Sequence, residues 1–108
     1  MEKVILGCRC NNREELKKCL ELLQKHGITW AGDSKIKPDV DSNKFYISDS
    51  VSIFLHKSTF QKKKFEITFS FTIIDYGYTN FSNCSYFIVN LAAFTKYLQY
   101  YEKWKILY

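Results

Sequence analysis

The stretch Lys64-Phe65-Glu66-Ile67-Thr68-Phe69-Ser70-Phe71-Thr72-Ile73-Ile74-Asp75 decides the architecture. Side chains of an extended backbone alternate between two faces, so Phe65, Ile67, Phe69, Phe71 and Ile73 share one side and Glu66, Thr68, Ser70 and Thr72 the other. The pattern predicts a half-buried β-strand, with Glu66 facing solvent and Phe69 in the core. Upstream, Val51, Ile53 and Leu55 form a second alternating set. The polar segment between them, with the run Lys62-Lys63-Lys64, predicts a hairpin that pairs the two strands antiparallel.

Working back to the N-terminus, Lys3 to Cys10 alternates Val4, Leu6, Cys8 and Cys10 against Lys3, Ile5, Gly7 and Arg9, a first strand. Asn12-Arg13-Glu14-Glu15 then has capping-box spacing, and Leu16, Cys19, Leu20 and Leu23 follow at helical intervals. These features predict a helix over 12–26, stopped by Gly27. Ile28 to Ala31 reads as a short strand. Lys35 to Asn43, with the single proline and few apolar residues, reads as an exposed loop. Lys44 to Ser48 looks extended.

Working forward, Tyr76 to Cys84 reads as an aromatic loop and Ser85 to Val89 as a short strand. Asn90 caps a second helix over about 91–103, with Leu91, Phe94, Leu98 and Tyr101 on one stripe. Taken together, the 108 residues predict a single α+β domain, 1–108, with an antiparallel-rich sheet and both helices packed on one face. Either a monomer or a homodimer fits this size.

Composition bounds the chemistry. Hydrophobic residues make up 46% of the chain, with nine Phe, eight Tyr and two Trp, enough to fill a core. No apolar run reaches the ~20 residues of a membrane span, and the first residues lack the pattern of a signal peptide. The expected location is the cytoplasm, with no membrane partner. In a reducing compartment Cys8, Cys10, Cys19 and Cys84 are thiols before they are disulfides. The net charge of +5 is almost all lysine, Arg9 and Arg13 being the two arginines. Scarce Gly, Ala and Pro beside abundant Lys, Asn, Ile, Phe and Tyr point to an AT-rich coding sequence, so part of that basicity is a codon effect.

No pattern identifies a reaction. Cys8-x-Cys10 lacks the paired-knuckle spacing of zinc sites, and Cys19, on the packing helix, reads as a small core residue. His26 and His56 suggest no dyad with these thiols. Asp39 followed by Glu66 faintly matches the acidic half of a metal-dependent nuclease signature, but Thr68 stands where that signature needs lysine. The glycines at 7, 27, 32 and 77 build no phosphate loop. The chain is therefore read as non-enzymatic, with no catalytic, cofactor-binding or metal-binding residue and no cofactor. Two surfaces are candidates for binding. Trp30, Tyr76, Tyr78, Phe81, Tyr97, Tyr100 and Tyr101 are of the type enriched at protein interfaces. Lys57, Lys62, Lys63 and Lys64 beside aromatics form the alternative, a basic nucleic-acid-binding module.

The turn Leu22-Leu23-Gln24-Lys25-His26-Gly27-Ile28-Thr29-Trp30-Ala31-Gly32, after a strand and a Leu-rich helix, resembles small phage-encoded accessory proteins. The resemblance covers roughly the first third of the chain. It implies a mobile-element protein in the cytoplasm of a bacterial host cell that binds and inhibits a host or defence-system protein, such as a CRISPR effector, by stoichiometric occupancy.

Overall fold

A computed structural model describes residues 4–44, 50–58, 64–71, 75–81 and 84–100. These form an α+β unit: a six-stranded sheet with three helices. The strands are β1 (Val4–Cys10), β2 (Thr29–Trp30), β3 (Val51–Lys57), β4 (Phe65–Ser70), β5 (Gly77–Phe81) and β6 (Cys84–Val89). The helices are α1 (Arg13–Lys25), α2 (Pro38–Lys44) and α3 (Leu91–Leu98).

The expected pairing of 51–56 with the opening strand holds, in the register Ile53 opposite Phe69 and Leu55 opposite Ile67. The sheet as a whole is mixed rather than antiparallel-rich. Its order is β2-β4-β3-β1-β6-β5, and β1–β6 and β2–β4 pair in parallel. The pairing of β3 with β4 joins neighbours in the chain, whereas these two parallel pairs join segments far apart in sequence and leave no local signature.

Helix α1 follows from its sequence. Asn12 caps it by accepting from the Glu15 N–H at 2.8 Å. The Glu15 carboxylate reaches back one residue beyond the cap, to the Asn11 N–H at 2.8 Å. Gly27 takes the left-handed conformation (φ 74°), and the Ile28 N–H folds back on the Leu23 carbonyl. Leu16, Cys19, Leu20 and Leu23 are buried on the sheet.

Helix α2 corrects the loop expected over 35–43 and removes Lys44 from the strand expected there; 45–48 lie outside the described residues. Pro38 occupies the first helical position, where its missing N–H costs nothing, and Asp39 and Asp41 sit in the first turn. Asp41 and Ser42 are buried, so this short helix is held by polar contacts that hydrophobic periodicity does not register. Its side faces α1 through the Lys17–Asp39 ion pair at 2.8 Å.

Residues 77–81 and 84–89 form a hairpin, where an aromatic loop was expected to run to Cys84. Asn90 caps α3 as predicted, accepting from the Ala93 N–H at 2.9 Å. The helix ends at Leu98, with Gln99 and Tyr100 in a turn; Tyr101 and the rest of the expected helix to 103 lie outside the described residues.

Both α1 and α3 pack on the Leu6, Cys8 and Cys10 face of β1, as the alternation requires. Phe54, Tyr86 and Ile88 form a separate buried cluster on the opposite face. Gly7 lies between Phe54 and Ile88 in the register of that face. A Cβ at Gly7 would lie 2.5 Å from Ile88 Cδ1 and 3.1 Å from Phe54 Cδ1. Two expectations about β4 change. Phe69 is 38% exposed, because its neighbour toward the sheet edge is the two-residue β2, which ends before that row. Glu66, expected in solvent, is buried beside His56, its partner across the strands.

Gly7→Ala should therefore overpack the sheet and cost about 1–3 kcal/mol, measured by urea denaturation. In the same assay Phe94→Ala, a fully buried truncation, should cost about 3–5 kcal/mol, and Phe69→Ala clearly less. Equal losses at Phe94 and Phe69 would contradict this assignment of the core.

Candidate partner-binding surface

One register row runs across the whole sheet: Trp30, Ile67, Leu55, Leu6, Phe87, Tyr78. Its centre is core and its two ends are aromatic. With strands about 4.8 Å apart, five spacings put those ends about 24 Å from each other. The sequence-predicted aromatics thus divide into two groups.

At the β5 end, the Tyr78 ring lies 4.9 Å from Phe87, and Phe87 lies 6.3 Å from Tyr97 of α3. Tyr78 is 75% exposed, Tyr100 54% and Tyr97 39%. Register and the capped helix bring Tyr78 and Tyr97 together on Phe87, residues that sequence could only name singly, and Tyr100 follows in the turn after α3. Phe87, which the sequence puts in the short strand 85–89, backs Tyr78 and Tyr97 from β6. Tyr76 stands at the mouth of β5, its hydroxyl accepting from Asn11 Nδ2 at 3.2 Å and its ring under Arg9 at 5.4 Å. Phe81 closes β5 opposite Cys84.

At the other end, Trp30 meets Phe69 edge-on at 6.0 Å, and Phe69 meets Phe71 at 5.1 Å. The indole N–H donates to Asp41 Oδ2 at 2.8 Å, and the same oxygen accepts the Lys37 N–H at 2.7 Å. Trp30 is thereby fixed as the wall of a cleft of about 710 Å³, which Lys35, Lys37, Val40 and Thr68 also line. It is a separate surface from the tyrosine group.

The lysine alternative loses part of its charge. Lys64 is paired with Asp33, and Lys57 is only partly exposed, at the end of β3. Lys62 and Lys63 lie outside the described residues. The acids flagged by the nuclease-like spacing do not converge: Asp39 is paired with Lys17 on α2, while Glu66 lies on the sheet beside His56.

The three N-terminal cysteines do converge. Cys8 and Cys10 project from one face of β1, and Cys19 meets them from α1, with all three sulfurs within 4.8 Å of one another. The Cys8 and Cys10 sulfurs are 3.9 Å apart. Hydrogen bonding from Cys19, then from Cys8, draws the Cys10 thiol down to about 5. Cys8 is pushed up, first by its hydrogen bond to Cys10 and then by burial, which outweigh an opposing bond to Cys19. Cys19 is pushed up by its bonds to Cys10 and Cys8 and by burial. Neither histidine joins them: His26 caps the far end of α1, and His56 is on the opposite face of the sheet.

No family model, curated protein or solved structure matches the chain. The surfaces above therefore stand on their geometry.

Two outcomes follow from this geometry. Asp41→Ala removes the acceptor of two N–H donors and should cost about 1–3 kcal/mol in urea denaturation. Cys19 keeps its proton in the folded chain to higher pH than in the unfolded one, whose thiols ionise at the ordinary 9.0. Its contribution is complete below that value and shrinks above it, so the reduced protein should lose stability as pH rises past 9.0. Cys19→Ala should flatten that slope; an unchanged slope would contradict it.

Proposed function

We propose that the chain is a non-enzymatic binding protein that acts by stoichiometric occupancy, with Tyr78, Tyr97 and Tyr100 as its contact surface. The observation that carries the reading is Tyr78 itself, an exposed ring seated on Phe87 and lying on the edge strand β5. Large aromatics with a rigid backing supply binding energy at low entropic cost, and such residues dominate interfaces. The strand adds a second means of attachment. Its sequence Gly77-Tyr78-Thr79-Asn80-Phe81 holds neither charge nor proline, the usual protections of an edge, so a partner strand can add to it.

The partner class follows from the resemblance of the first third to phage accessory proteins: a host or defence-system protein, a CRISPR effector among them. The nucleic-acid alternative draws no support from Lys64, whose charge is already paired.

Affinity capture from a bacterial lysate should recover one partner at stoichiometric yield. Tyr78→Ala should weaken that complex at least about tenfold, as hot-spot truncations do, with the melting temperature nearly unchanged. Trp30→Ala, about 24 Å away, should leave it intact. Repeated recovery of nothing, or equal loss on Trp30→Ala, would overturn the assignment.

A further inference from the structure

The thiol cluster lies outside the proposed binding surface and has a chemistry of its own. Cys8 and Cys10 are two residues apart on one strand face, and α1 lowers Cys19 over them, so the sulfurs form a tripod. All three residues are at most 1% exposed, among Leu16, Leu20, Val51 and Ile53. A pyramidal trivalent centre with three bonds to sulfur of about 2.3 Å holds the sulfurs roughly 3.5 Å apart, so the tripod needs to close only slightly on it. The Cys8–Cys10 pair already stands at 3.9 Å.

We propose that Cys8, Cys10 and Cys19 form a three-thiolate site for one trivalent thiophilic ion of the arsenous acid class, bonded between β1 and α1.

Charge selects the ion. Three thiolates on a divalent ion leave one negative charge in the apolar core, and on a monovalent ion two. A trivalent ion leaves none, and a neutral complex escapes the cost of burying charge. The carboxylate felt by Cys8 and Cys10 is that of Glu15, of the same sign, and it offers no compensation. Coordination number agrees. The described residues bring three such donors together here, whereas zinc takes four ligands in closed sites. Cys84 does not supply a fourth: it precedes Ser85, which pairs with Val4, at the opposite end of β1 from Cys10.

Proton balance also agrees. Arsenous acid carries three hydroxides. Cys8 and Cys19 each pass their S–H proton to a departing hydroxide, while the Cys10 thiolate displaces the third hydroxide, which takes its proton from solvent, so three bonds form, three waters leave and arsenic stays trivalent. Cys8 and Cys19, which hold their protons tightly, thus need not release them to solvent. The three cysteines are buried, so the site fills when α1 lifts from β1, at the rate of that local opening.

The test is native mass spectrometry of the full chain, kept reduced with a phosphine and incubated to equilibrium with sodium arsenite. One arsenic per chain is expected, with the loss of three protons and a rise in melting temperature. Cys84→Ala should keep the adduct, and Cys8→Ala, Cys10→Ala and Cys19→Ala should each lose it. Absence of the adduct on the folded wild-type chain would overturn the proposal, whatever the variants do. So would retention in Cys19→Ala, loss in Cys84→Ala, or displacement of arsenic by equimolar zinc.

Discussion

The structure depends on β1 being buried on both faces while carrying small residues at its centre. Leu6, Cys8 and Cys10 support α1 and α3, and Gly7 on the other face admits Phe54 and Ile88. Strands β3 and β6 flank it, one antiparallel and one parallel. Interiors are packed to crystal-like density, so the volume removed at Gly7 and at the two cysteines is what allows large neighbours to close in. It joins the β2-β4-β3 half of the sheet to the β6-β5 half.

From that centre the sheet extends unequally. Toward β2 it ends after two residues, which leaves Phe69 half open and makes the Trp30 cleft. Toward β5 it ends in a full strand whose aromatic face is backed by α3. The same row of side chains is therefore core in the middle and surface at each end. Among the described residues, the exposed rings and the edge of the sheet coincide at the β5 end, which is why the proposed binding surface is placed there.

The sequence made the local decisions visible. Alternation located β1, β3 and β4, capping residues placed α1 and α3, and the partner of β4 adjoins it in the chain, whereas β5 falls in what reads as an aromatic loop. What it hid was non-local or polar. Parallel pairing of β1 with β6 and of β2 with β4 has no nearby turn to announce it, and α2 rests on Pro38 and a buried Asp41 rather than an apolar stripe. Glu66 and Phe69 were misplaced for one reason: strict alternation assumes a sheet covered evenly, and this one is not. The aromatic candidates were legible as residue types alone, and only the register could sort Trp30 from Tyr78. Likewise, Cys8 and Cys10 were legible as a pair, while their approach to Cys19 needed the helix to be placed.

The central claim is that β1 is the most protected element and β5 an accessible edge carried by it. Native-state hydrogen exchange, read residue by residue on the free protein, tests it directly. Amides of Leu6 to Cys10 should exchange last, at the rate of global unfolding, and those of β5 should be the fastest among the strands. Protection of β5 equal to that of β1, or local opening of β1 ahead of its neighbours, would contradict the account.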